Sequence, residues 1–137
     1  MAENIHLEVV TPEKIVVSEE AQIVASPGSL GEFGVLSGHT PFLTTLKTGI
    51  IRYTDSNGTE RHVFVSGGFA EALPDKVTVL AESAERRRDI DLERAKEAQA
   101  RAEKRLTEDR SRDDIDFARA RGSLERATVR IRLVGSR

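Results

Sequence analysis

The 137-residue chain has no cysteine and no tryptophan, one tyrosine and one methionine. Without cysteine there are no disulfides and no cysteine-ligated zinc, and a reducing compartment is allowed without being demonstrated. Aromatic residues make up 4%, too few to supply the stacking platform of a single-strand nucleic-acid binder. Long apolar runs are also missing: no stretch approaches the ~20 residues that a membrane helix requires. The opening Met1–His6 lacks the basic and apolar regions of a signal peptide. Any membrane association is therefore expected to run through partner proteins. The three histidines, His6, His39 and His62, show no paired-ligand spacing, so no metal site is expected. Ser37 lies near His39 but outside any Gly-x-Ser-x-Gly elbow. No nucleophile or acid–base pair stands out, so an enzyme in its own right is not expected and no cofactor is required.

What is present is charge and short-period patterning. Charged residues are 32% and apolar residues 38%, enough for one modest core or a small domain with an appendage. The net charge of −2 conceals a division: residues 1–85 carry 5 Lys and Arg against 12 Asp and Glu, and residues 86–137 carry 16 against 11. Two parts with different partners are implied.

Ile5, Leu7 and Val9 alternate with His6 and Glu8, the pattern of a half-buried strand. Thr11-Pro12-Glu13 reads as a turn. Lys14–Ser18 and Gln22–Ala25 read as two short strands parted by Glu19-Glu20, and Ser26-Pro27-Gly28 as a break. Glycines at 28, 31, 34 and 38 then predict a tight, shaped loop rather than a helix or a long strand. Phe42–Leu46, Ile50–Thr54 (led into by Gly49), Arg61–Val65, Phe69–Leu73 and Val77–Leu80 continue the short-strand pattern. Asp55-Ser56-Asn57-Gly58 predicts a hairpin with a primed turn, Ser66-Gly67-Gly68 a bulge or corner, and Pro74-Asp75 a turn. Such spacing predicts an antiparallel sandwich or barrel. The pattern changes at Ser83–Asp89, read as a hinge. Leu92, Ala95, Gln99, Ala102 and Leu106 then recur at three and four, as do Phe117, Ala120, Leu124, Ala127, Ile131 and Val134, so two amphipathic helices follow. Asp89 or Asp91 is placed to cap the first and Ser111, Asp113 or Asp114 the second. The polar Thr107–Arg112 suggests a hairpin, weakly held because alanine buries little surface.

The string Gly31-x-x-Gly34-x-x-x-Gly38-His39-x-Pro41 is neither a dinucleotide fingerprint nor a phosphate loop. Together with Gly67-Gly68-Phe69-x-Glu71 it resembles the epsilon subunit of bacterial F-type ATP synthases over nearly the whole chain. The expected architecture is α+β: an N-terminal antiparallel β-sandwich over 1–85, binding stalk and ring, and a C-terminal two-helix hairpin over 86–137 with a regulatory role. The resemblance implies a non-catalytic rotor subunit that couples ring rotation to the catalytic head and restrains ATP hydrolysis. Its implied partners are the gamma subunit, the membrane c-ring and, through the helices, the catalytic beta subunit, with no nucleic acid. Its implied place is peripheral, on the cytoplasmic face of the bacterial cell membrane. Leu30, Gly31, Glu32, Phe33 and His39 are then ring or stalk contacts; read without the family, Glu32 is a solvated turn carboxylate and His39 a turn hydrogen-bonder. Ile90-Asp91-x-x-Arg94-Ala95 matches a family motif that accompanies ATP as a regulatory ligand, with Arg101, Arg126 and Arg130 completing a cationic pocket. Read without the family, it is a capping aspartate followed by surface arginines. Arg119, Arg121, Arg126, Arg130 and Arg132 make the second helix basic, an inhibitory face toward an acidic partner or a solvated face. The alternatives are a small ligand-binding sandwich with a basic helical interaction tail and an arginine-rich nucleic-acid adaptor.

Overall fold

The computed structural model describes residues 3–108 and 114–135. Nine strands come first among the described residues: β1 (Ile5–Val10), β2 (Ile15–Gly28), β3 (Gly31–Val35), β4 (Phe42–Thr45), β5 (Gly49–Asp55), β6 (Glu60–Ser66), β7 (Phe69–Ala72), β8 (Lys76–Leu80) and β9 (Ser83–Arg86). A 3-10 turn over Arg87–Asp89 precedes α1 (Leu92–Glu108) and α2 (Asp114–Gly135). The chain divides into two compact units, Met1–Arg87 and Arg88–Arg137.

In the first unit, alternation does what a two-residue period requires. Ile5, Leu7 and Val9 are fully buried while His6, Glu8 and Val10 are half-buried. Val77 and Val79 of β8 and Ala70 and Ala72 of β7 turn inward by the same rule. With Val17, Val24, Val35, Ile51, Tyr53, Val63 and Val65 they make one core. Strand order is β4-β7-β8-β1-β2-β5-β6-β9, with β3 beside β2. The ladders are antiparallel except for β1 with β8, which run parallel. The long chain between those two strands leaves room for the crossover that a parallel pair needs.

Strand β2 is one 14-residue element rather than two short ones. Its first half pairs with β1 and its second with β5 and β3, across a register shift between Ala21 and Ile23. A bulge lets one strand turn from one layer into the other. The expected break at Glu19-Glu20 is absent because both carboxylates find partners on neighbouring strands: Glu20 on the outer face with His6 at 3.0 Å, Glu19 with the Tyr53 hydroxyl of β5. The glycine stretch is likewise a hairpin, not a shaped loop. Gly28 closes β2, Gly31 and Gly34 lie in β3, and Ser29-Leu30 is the turn. Pro27 does not break β2: β5 pairs no further than Ala25, and the Pro27 carbonyl accepts Lys47 N–H at 3.0 Å.

The β5–β6 turn differs from the primed turn expected. Gly58 N–H donates to the Asp55 carbonyl at 3.0 Å, and of these residues only Gly58 has positive φ, +83°. This is an ordinary turn followed by a glycine bulge. The Asp55 carboxylate accepts Thr59 N–H at 3.0 Å, Asn57 N–H at 2.9 Å and Arg61 Nε at 3.1 Å. Those bonds, the Thr59 one foremost, hold its pKa below the usual carboxylate value, against the opposing effect of burial. The supposed hinge at Ser83–Asp89 is half strand: Ser83–Arg86 pairs with β6 over four rungs.

In the second unit Asp91 caps α1, its Oδ1 accepting Arg94 N–H at 3.1 Å and its carbonyl accepting Ala95 N–H at 3.0 Å. Ala95 and Ala102 of α1 and Ala120 and Ala127 of α2 are buried. Gln99 Nε2 meets Thr128 Oγ1 at 3.5 Å across the seam. Of the residues expected to cap α2, Ser111 and Asp113 lie outside the described residues, as does most of the Thr107–Arg112 connection, and Asp114 opens the helix. No described helix is long and apolar enough to cross a membrane.

Candidate functional site

Three surfaces stand out, two of which hold the residues singled out in the sequence. The first is the β2–β3 hairpin. Leu30 stands fully exposed at its tip, and Glu32 lies on the outward side of β3. Glu32 is ion-paired with Arg52 of β5, two strands away across β2. Gly31, at φ +137°, starts β3. Phe33 points the other way: half-buried, it packs on the core and edge-on to Phe42, with ring centroids 4.9 Å apart. His39 joins that cluster, 5.1 Å from the Phe42 ring, its Nδ1 bonded to the Thr40 carbonyl at 2.7 Å. The five residues expected as contacts therefore separate. Leu30 and Glu32 offer an apolar tip and a charge, while Phe33 and His39 brace the loop beneath. Arg52 was missed, because only the β2–β5 register brings it to Glu32.

A second surface was not expected at all. Register partners Thr45 and Phe69, Phe69 and Leu80, Leu80 and Val10, and Val10 and Ile15 form one cross-strand row over β4, β7, β8, β1 and β2. Directly opposed residues share a face, so Phe69, Leu80, Val10 and Ile15 lie side by side. Leu43, two residues from Thr45, is on that face too. Leu43 is 70% exposed, Ile15 62%, Phe69 48% and Leu80 47%. Beside this row the same face turns polar: Lys76 Nζ and His6 Nε2 each lie 3.5 Å from Glu8, and His6 also pairs with Glu20. An exposed apolar row with a charged border is the layout of a protein contact. No local motif announces it, since its members come from five strands.

The third surface is on the helices. Arg94, Arg101, Arg119 and Arg126 each directly precede a buried seam alanine. The contact of Gln99 with Thr128 sets the antiparallel register and brings Arg101 level with Arg126. In an antiparallel pair like flanks face each other, so these four arginines, with Arg130 one turn beyond Arg126, share one side of the hairpin. Within the expected nucleotide set, Asp91 is occupied as the α1 cap, Ala95 belongs to the seam and Ile90 is half-buried just ahead of the cap. The Arg126 guanidinium folds back to Ser123 Oγ at 3.2 Å. The five arginines of α2 do not form a single face. Arg121 and Arg132 lie roughly 200° around the helix from Arg119, on the side that also carries Glu125.

A largely antiparallel sandwich continued by a thinly seamed helical pair, with its notable features on its surfaces, is the build of a non-catalytic subunit of a larger assembly. The sequence profile of the ATP synthase, Delta/Epsilon chain, beta-sandwich domain matches residues 4–87, and that of the Delta/Epsilon long alpha-helix domain matches residues 88–135. The ATP synthase epsilon chain of Desulforapulum autotrophicum is 64% identical over 137 residues, covering 100% of both chains. Among solved structures, a chain of the Euglena gracilis mitochondrial ATP synthase, in a complex titled OSCP/F1/c-ring, superposes with a TM-score of 0.75 at 24% identity, over 89% of this chain and 76% of that one. A chain from the Tetrahymena thermophila mitochondrial ATP synthase central stalk/c-ring superposes with a TM-score of 0.61 at 9% identity, over 97% and 98%. Those two likenesses speak for the fold. The chain belongs to the family of bacterial ATP synthase epsilon chains, and an epsilon chain is a non-catalytic subunit of that complex.

Proposed function

We propose that this chain is a rotor-stalk subunit that couples rotation of the membrane c-ring to the catalytic head and restrains ATP hydrolysis. The observation that carries the reading is the row of exposed Ile15, Leu80 and Phe69 with half-buried Val10 between them and Leu43 beside it. Such a row is the anchor of a protein interface rather than of a freely dissolved monomer, and the gamma subunit is its occupant. The tip formed by Leu30 and Glu32 meets the c-ring, so the protein is held peripherally at the cytoplasmic face of the cell membrane through its partners. Both partner assignments accord with the solved relatives, whose titles name a central stalk and a c-ring. The test is co-purification from membranes. Wild-type protein is expected to bring down gamma and ring subunits. Phe69→Asp with Leu80→Asp is expected to lose gamma while melting near wild type. A folded double variant that still brings down gamma at wild-type yield overturns the docking assignment.

The regulatory half rests on the arginine-lined side of the helical pair. Arg94, Arg101, Arg126 and Arg130 on one side form a seat for a polyphosphate such as ATP, which would favour whichever helical posture holds it by RT ln(1 + [L]/Kd). Without ATP the helices extend and carry their arginines to acidic residues of the beta subunit. Because the α2 arginines occupy two stripes, Arg121→Ala with Arg132→Ala is expected to relieve inhibition without touching ATP binding. Arg94→Ala is expected to weaken ATP binding and raise inhibition at a given ATP level. Calorimetric titration and hydrolysis by the reconstituted head read the two separately; Arg94→Ala binding ATP like wild type removes the pocket.

A further inference from the structure

In the β1–β2 ladder Glu19 stands opposite Leu7, on the side that holds the core. A carboxylate placed there needs partners. It has two: the Tyr53 hydroxyl donates to Glu19 Oε1, and Arg86 Nη1 lies 3.9 Å from the same oxygen. Arg86 reaches further. Its Nη1 donates to the Tyr53 hydroxyl oxygen at 3.3 Å and its Nε to the Val16 carbonyl at 3.1 Å. Tyr53 is 1% exposed, and burial together with the bond to Glu19 pushes its hydroxyl up to about 12. One guanidinium thus ties β9 to β2 and β5, neither of which is its neighbour in the sheet. β9 is otherwise a four-residue edge strand whose one ladder partner is β6 and whose Ala84 alone enters the core, and so short an edge strand is weakly held. Arg86 is also its last residue, directly before the turn that leaves the sandwich.

We propose that the contacts among Glu19, Tyr53 and Arg86 form a clasp that sets the length of the tether between the sandwich and the helical unit. With the clasp closed, the connection to the helical unit begins at Arg87. With it open, Ser83–Arg86 peels from β6 and adds about 13 Å of extended chain, at ~3.3 Å per residue. A helical unit on the longer tether samples a wider volume and meets any one target at lower effective concentration. This deepens the braking reading above and rests on it only for its consequence in the assembled enzyme; the clasp itself is testable in the isolated chain.

The chain has no cysteine, so labels can be placed at will on the full-length protein. Ser56→Cys in the β5–β6 turn and Arg121→Cys on α2, both at exposed positions, carry spin labels for distance measurement. Hydrogen exchange reads the amides of residues 83–86. Arg86→Gln is expected to speed that exchange roughly tenfold or more, the loss of a charge-assisted hydrogen bond, and to broaden the distance distribution. Tyr53→Phe, which keeps the packed ring and loses only the hydroxyl, is expected to do the same to a smaller extent, and it remains informative if Arg86→Gln fails to fold. Unchanged exchange at 83–86 in a folded variant overturns the clasp, and faster exchange with an unchanged distance distribution overturns its role as a tether. A wild-type distance distribution that ignores ATP counts against the ATP-driven posture change instead, because the clasp is judged only from variant against wild type.

Discussion

Raising the pH interrogates Tyr53 in isolation, because the chain holds one tyrosine and no tryptophan and absorbance near 295 nm has a single source. Desolvation of the buried ring and its bond to Glu19 raise the hydroxyl from 10.0 to about 12, against a smaller lowering by Arg86. The native state therefore holds this proton more tightly than the unfolded chain does. Stability from this group is fully present below pH 10, falls as pH rises from 10 toward 12, and is gone above the native value. The span amounts to at most about 2.7 kcal/mol, at 1.36 kcal/mol per unit. At pH 11 an unfolded control in urea is expected to be about nine-tenths ionised and the native protein about one-tenth. The spectrophotometric titration, run with far-UV circular dichroism at each pH, separates ionisation within the fold from ionisation by unfolding. Glu19→Gln is expected to bring the midpoint down toward 10, since it removes the carboxylate that favours the neutral hydroxyl. A wild-type midpoint near 10 with the circular dichroism unchanged would refute the burial of this hydroxyl and, with it, the core-edge position of Glu19.

Three further perturbations address the backbone and the unit boundary. At Gly68, φ is +97° and an added Cβ would lie 2.0 Å from the Leu80 carbonyl oxygen, so Gly68→Ala is expected to cost roughly 2–5 kcal/mol in urea unfolding; a loss under about 1 kcal/mol contradicts the β7–β8 approach. Gly38, at φ +84°, and Gly34, with ordinary φ and nothing nearer to an added Cβ than the Val24 carbonyl oxygen at 3.9 Å, look equivalent in the glycine string. Valine at Gly38 is expected to cost about 1–3 kcal/mol of strain and at Gly34 less than about 0.5 kcal/mol, and equal effects in thermal melts refute the distinction. A fragment ending at Arg87 is expected to unfold cooperatively, whereas one ending at Glu82, which lacks β9 and Arg86, is expected to melt lower and lose the high Tyr53 midpoint; identical melting curves would make β9 dispensable.

Much of this protein was legible along the chain. The alternation of Ile5, Leu7 and Val9, the turn at Thr11-Pro12-Glu13, the tight turn at Asp55–Gly58 and the three-four recurrence through Ala95, Ala102, Ala120 and Ala127 all reappear in the structure. Those signals are local: helix and strand repeat at fixed pitch, so one face is apolar at a fixed interval. Asp91 declared itself as a cap for the same reason, because the N–H it accepts lies only three residues away. The glycine string and Gly67-Gly68 were enough to bring the family into view, although they suggested a loop where the chain makes a hairpin. What happens between distant residues was decided only in three dimensions. Glu19-Glu20 looked like a break until the Tyr53 hydroxyl reached Glu19 and His6 stood opposite Glu20, and Ser83–Arg86 looked like a hinge until β6 offered it an edge. The row of Ile15, Val10, Leu80 and Phe69, the pairing of Glu32 with Arg52 and the alignment of Arg101 with Arg126 all depend on register. Register is chosen when whole faces are buried against one another: a shift by one residue would send every inward side chain of a strand into water. No short window of sequence holds that energy, because it belongs to the packed core as a whole.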